Sequence, residues 1–306
     1  MQTANLYNEF SNEWSKRWFK FMRLYTDYID LSCLELSCNP NITWEIVQAN
    51  PNNPWNYNGL SLNLNITWKI VQANPDKPWN YDWLSRNPNI TWEIIQANPD
   101  KPWNYNRLSS NPNITWKIVQ ENPDKSWNYN GLSSNPNITW EIVQANPDKP
   151  WNYHGLSENP NITWEIVQAN PNKNWSYDWL SENQNVTWEI VQANPDKPWH
   201  YIWLSRNPNI TLEIIQANPD KPWSYGMNFN PNITWEMVEA NPNERWNFEL
   251  LSWNKMTPAR EEFIKKKFQE WFRRSDLKSE LMANVWHPRN FEKFRYLDPD
   301  TFEEEI

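Results

Sequence analysis

From Asn39 onward, apolar and polar positions recur with a period of 24 residues. Ile42, Trp44, Ile46, Val47, Trp55, Tyr57 and Leu60 form an apolar set that returns from copies beginning at Asn63, Asn87, Asn111, Asn135, Asn159, Asn183 and Asn207. A ninth copy begins at Asn230, one residue early, and Leu212 stands where the other copies carry the first of two tryptophans. Each unit holds two short helix signals separated by prolines, which lack the donor a helix interior needs and push the preceding residue out of the helical region. In the first, Thr43 is placed to cap Trp44–Ala49, Glu45 complements the positive end of the dipole, and Asn50-Pro51 stops the chain. The second starts after Trp55, where a column of mostly Asn and Ser offers caps, and runs through Tyr57 and Leu60 to the next Asn-Pro.

Helices this short are unstable alone, because nucleation is costly and few hydrogen bonds follow it. One unit cannot bury its apolar set, whereas stacked identical units bury theirs against each other. The tryptophan columns therefore read as core ladders. At the N-terminus, Trp14, Trp18, Phe21 and Tyr25 share one helical face, and Leu36-Ser37-Cys38-Asn39 matches the end of a second helix. Thr257-Pro258 opens another helix with Phe263, Ile264, Phe268, Trp271 and Phe272 as its stripe. The fold class is all-α: an α-solenoid of short helix pairs, nine 24-residue repeats with N- and C-terminal capping helices. The organisation reads as 1–38, N-terminal cap and half repeat; 39–252, tandem repeats; 253–306, C-terminal cap and an irregular acidic tail. Stacked in line at 8–10 Å, nine units are expected to span on the order of 80 Å or more.

Twenty-five Trp and twenty-five Pro beside four Gly reinforce the picture of one small unit copied many times. Cys33 and Cys38 without neighbouring histidines offer neither a disulfide framework nor a four-ligand zinc site, and read as reduced thiols. Lys16, Arg17, Lys20 and Arg23 interrupt the first thirty residues, so no signal peptide or membrane span is expected. The expected location is the cytoplasm, with no membrane partner and no cofactor. Of the net charge of -9, the repeats carry -8, which disfavours nucleic acid, since affinity for it rests on neutralising phosphates.

The unit NPNITWEIVQANPDKPWNYDWLSRNPN, with its W-x-x-x-L-S-x-N-P-N phrase, resembles the Asn/Pro/Trp-rich tandem repeats of proteins encoded by giant DNA viruses of amoebae. The segment SELMANVWHPRNFEKFRYLDPD is similar to a C-terminal segment many of them carry, so the likeness covers residues 39–300. It implies a viral protein in an infected host cell or a virion, and carries over no catalytic or binding residues.

Nine Asn-x-Thr sequons, from Asn41 to Asn232, would be glycosylation sites in a secreted chain; here Thr reads as a helix cap and Asn as a turn residue. His154, His200 and His287 form no ligand pair, and Glu45, Glu93, Glu141 and Glu165 form a solvated column, so nothing points to an enzyme. The informative signal is variation on a fixed background. Three columns of the second helix change freely: Asn58, Asp82, Asn106, Asn130, His154, Asp178, Ile202; Gly59, Trp83, Arg107, Gly131, Gly155, Trp179, Trp203; and Leu62, Arg86, Ser110, Ser134, Glu158, Glu182, Arg206. Trp83, Arg107, Trp179, Trp203, Arg86 and Arg206 are thus the candidate partner-binding surface, Trp and Arg being the usual anchors of protein interfaces. The function expected is a protein-interaction scaffold or structural repeat protein with an unidentified protein partner. The alternative is a polymer, nucleic acid or glycan, stacked on the aromatic columns. Full burial of the repeated tryptophans would count against it.

Overall fold

The computed structural model describes residues 2–24, 30, 32–223, 225–241 and 246–274. Among these the chain is all-helical, with no strand. It divides into two compact units: Ser15–Thr257, which carries the repeats, and Met1–Trp14 with Pro258–Ile306. Tyr25, Ser224 and the segment from Ser275 to Ile306, with His287 and the acidic tail, lie outside the described residues.

Each repeat forms its two helices where the capping signals place them. The first spans Trp44–Ala49 and its equivalents, with Thr43 Oγ1 accepting from the Ile46 N–H. The second spans Tyr57–Leu62, with the Asn56 side chain accepting from the Asn58 and Gly59 N–H groups. Between them Asn50 folds back, its Nδ2 donating to Ile46 O at 2.8 Å, while its carbonyl accepts from Trp55 Nε1 at 3.0 Å. Ile42 and Leu60 are fully buried, and their equivalents build core clusters along the repeats, from Ile66 to Leu180, from Val186 to Ile210 and from Ile233 to Leu251.

Two materials join one repeat to the next. On the first-helix side the joint is aromatic: Trp79 receives Trp44 at 5.7 Å and the edge of Tyr57 at 5.3 Å from the repeat before it, and the same triad recurs to Trp223. On the second-helix side the joint is polar and small. Asn63 Nδ2 donates to the carbonyls of Ser37, Asn39 and Ile42 at 2.9, 2.9 and 3.0 Å, and Asn65 Nδ2 to those of Pro40 and Ile42. Ser61 Oγ donates to Tyr57 O and accepts from Asn80 N–H at 2.9 Å. Bulky rings on one side and Asn, Ser and Gly on the other make each repeat a wedge.

The wedges close. Asn39 Nδ2 donates to Ser252 O and Asn254 O at 3.0 and 3.1 Å, and Asn41 Nδ2 to Lys255 O at 3.0 Å, the bonds Asn63 and Asn65 make one repeat later. Asn39, Asn63, Asn87, Asn111, Asn135, Asn159, Asn183, Asn207, Asn230 and Asn254 therefore form an uninterrupted circle of amide-to-carbonyl bonds. This corrects the expectation of a stack in line: the repeat unit returns to its start after ten layers. Leu34–Cys38 supplies the tenth second-type helix. At the seam, residues of the N-terminal helix fill the aromatic positions that the chain ends leave open, Phe19 against Trp55 and Phe21 against Trp235.

The remaining unit is a helix pair. Phe10 meets Phe268 edge-on at 5.0 Å, Trp14 meets Phe263 at 5.5 Å, and Glu13 pairs with Lys267 at 2.6 Å. Ile264 is buried, and Thr257–Arg274 is the helix opened by Thr257-Pro258.

Candidate functional site

In a closed ring the layer whose members lie closest together has the smaller radius. The close helix-to-helix packing along the ring joins second helices to second helices, so these form the inner wall and the first helices the outer one. On a second helix, Leu60 points into the core and Ser61 toward the following repeat, while the positions of Asn58 and Leu62 lie on the opposite face. That face looks into the lumen.

Arg86 and Glu158 stand three repeats apart in the Leu62 column, yet each perturbs the other's ionisation, as side chains of one luminal wall do. Burial holds the Glu158 carboxyl above its ordinary range, with Arg86 opposing, although the residue is solvent-accessible. Burial likewise raises Glu182, with Arg206 opposing and Glu158 adding to the rise. Arg86 is lowered by burial and then by Arg107. Water-accessible groups shifted by surrounding protein are what a narrow aqueous channel produces.

The six candidate residues fall in two groups. Arg107 lies over the Trp83 ring at 5.4 Å, with Arg86 close enough to sense it. Trp179 stacks on Trp203 at 5.1 Å, and Arg206 lies over Trp203 at 4.6 Å and Phe229 at 4.4 Å. Trp83, Trp179, Trp203, Arg86 and Arg206 are half-buried and Arg107 is exposed. The Trp83 column also spaces the inner helices: all four glycines of the chain stand in it, and a Cβ on Gly59 would come within 2.3 Å of Leu34 O, on Gly226 within 2.4 Å of Ile202 O. At Gly59 and Gly226 a side chain would collide with the backbone of the preceding inner helix, whereas other layers accommodate Trp or Arg in the same column.

Repeat comparison missed the luminal residues from the irregular layers. Because each luminal residue directly precedes an asparagine of the circle, Cys38, Phe229 and Trp253 belong with Leu62 and Arg86. The signal was present, since the Asn register survives the one-residue deletion before Asn230.

The other candidate features are consumed by the architecture. The sequon asparagines bond across repeats, Asn41 being fully buried, and Thr caps the helix after it. Trp140, Trp164 and Trp188 are 9%, 6% and 9% exposed, and most others in the two columns are half-buried with a neighbouring ring against them. Between outer helices, Trp164, Trp175, Tyr177, Lys173 and Lys197 line an open groove of about 350 Å³. Burial raises the Cys38 thiol to about 11. Among the described residues no three His, Cys, Asp or Glu side chains could hold a metal ion, and no helix is long and apolar enough to cross a membrane.

The fold and wall define a class: a closed α-solenoid ring with a sequence-variable lumen. No protein-family model, curated protein or solved structure matches the chain.

Proposed function

We propose that this protein is a non-catalytic interaction scaffold that holds a protein partner by the inner wall of its repeat ring, and that it acts, as its resemblance to giant-virus repeat proteins implies, in an infected cell. One observation carries the reading: two of the columns that vary between otherwise identical repeats face the lumen, and the third sets the spacing of the wall around it. Positions that build the ring are held constant by the bonds they make. The inner wall carries the most variable positions of the repeat, so it is where a specific partner can be distinguished.

A photo-crosslinking amino acid placed at Asn106 on the inner helices, and separately at Gln120 on the outer ones, tests this in cells expressing the full chain. Adducts to the same protein from Asn106, absent from Gln120, are expected. Adducts from Gln120 alone would place the interface outside the ring and end this reading.

A further inference from the structure

The lumen is two-sided. Going round the ring, Phe229, Trp253, Cys38 and Leu62 are consecutive residues of the Leu62 column and form an apolar band across the seam, with Phe229 and Trp253 in ring contact at 5.4 Å; the Asn58 column beside this band carries Glu249, Leu34 and Asn58 in the layers of Trp253, Cys38 and Leu62. Arg206 and Arg86 stand at the two ends of the band. The opposite arc is polar and carries Glu158 and Glu182 side by side. Among the described residues neither carboxylate accepts a hydrogen bond or makes a contact ion pair; their pKa values respond only to burial and to charges at a distance. Glu158 is exposed and Glu182 half-buried, Arg86 and Arg206 oppose their shifts from a distance, and neither carboxylate has a counter-ion in contact.

Size and angle narrow what could supply one. Ten helix axes about 8 Å apart make a circle roughly 25 Å across, and removing a helix radius on each side leaves a bore of roughly 15 Å. That admits one α-helix, about 10–12 Å in diameter, and is too narrow for a folded domain. Four layers of ten subtend about 140°, comparable to the apolar stripe of an amphipathic helix, which is about 100° or wider.

Resting on the reading of the inner wall as the binding face, we propose that the occupant is a single amphipathic α-helix, its apolar stripe on the arc from Phe229 to Leu62 and a basic face toward Glu158 and Glu182. Residues at the borders of the stripe would meet Arg86 and Arg206, which favour acidic side chains there. The helix would supply the positive charge that the two carboxylates lack, and would cover the luminal Trp, Phe and Leu.

The probe is a fluorescein-labelled 18-residue peptide with Leu on one helical face and Lys on the other, read by fluorescence anisotropy against the full-length chain. The controls are the same residues in scrambled order and a Leu/Glu version. The Leu/Lys helix is expected to bind at least tenfold more tightly than either control. Glu158→Gln with Glu182→Gln should weaken it about tenfold and flatten its salt dependence, and Leu62→Gln should weaken it by a similar factor, each variant first shown by circular dichroism to keep the helical fold. Glu93→Gln with Glu165→Gln, which removes the same charge from the outer helices, should have no effect. Equal losses from the inner and outer pairs would reduce the binding to general acidity and overturn the proposal, as would equal affinity for the Leu/Glu peptide. Crosslinks to a partner at Asn106, with no helical peptide bound, would retire the amphipathic helix while leaving the inner wall as the interface.

Discussion

The buried asparagines join each repeat to the one before it. Asn135 is fully buried, and its two amide hydrogens serve the carbonyls of Ser109, Asn111 and Ile114 at 2.9, 2.9 and 3.2 Å, while its Oδ1 accepts from the Asn137 N–H. Removing it takes the side-chain partner from the Ser109 carbonyl and the Asn137 N–H, while the Asn111 and Ile114 carbonyls keep the Ile114 N–H and Asn137 Nδ2; a buried group left unpaired costs about 1–3 kcal/mol. Asn135→Ala is expected to lower stability by about 3 kcal/mol or more in urea unfolding, whereas Asn106→Ala, in an exposed column, should change it by less than about 0.5 kcal/mol. The luminal glutamates act in the opposite sense. Because burial raises Glu158 and Glu182, the native state binds protons more tightly than the unfolded chain, so stability grows as pH falls through their raised values and is lost as pH rises above them. Glu158→Gln with Glu182→Gln should therefore raise the melting temperature at pH 7. The gain should vanish below about pH 4, where unfolded glutamate is itself protonated.

Helix boundaries were legible in the sequence because their causes are local. A threonine before Trp44 and a proline after Asn50 act within a few residues, and the helix spans Trp44–Ala49 as they dictate. The irregular copy is legible for the same reason. Leu212 removes a ring from the outer joint, so Trp246 has no tryptophan from the preceding repeat, and the shortened link makes Tyr225–Phe229 a 3-10 turn where other repeats have α-helix. Leu212→Trp should restore the missing pair and stabilise the fold by about 0.5–1.5 kcal/mol, measured by chemical unfolding. Destabilisation would mean that the one-residue deletion has moved the pocket off register.

Curvature belongs to the repeat unit as a whole, and the repeat pattern does not state it. Tandem repeats state that neighbours stack, but the angle between them is the difference between two joint thicknesses, and a small error per step separates a rod from a ring. The two outcomes are far apart in distance. In the closed ring Pro40 and Lys255 lie on neighbouring layers, bridged by the Asn41 bond; in a line of nine units they would be about 80 Å apart. With Cys33 and Cys38 changed to Ser, spin labels on Pro40→Cys and Lys255→Cys should report a distance below about 20 Å by double electron–electron resonance, on the scale of one or two layer spacings. A distribution centred beyond about 50 Å, many layer spacings, would show the ring open.

The sequence by itself determined the period, the helix limits, the caps and the core, since each is written in contacts within one repeat or between adjacent repeats. It also singled out the variable columns, because identical repeats serve as controls for one another. Only the tertiary structure decided where those columns point. Trp83 and Gly59 share one column, yet what that position does depends on how closely the preceding inner helix approaches, which a single copy does not encode. Arg86 and Glu158 are 72 residues apart and sense each other's charge only because the repeats curve. Closure itself rests on Asn39 reaching Asn254, a bond whose partners look in sequence like any two copies of the same asparagine.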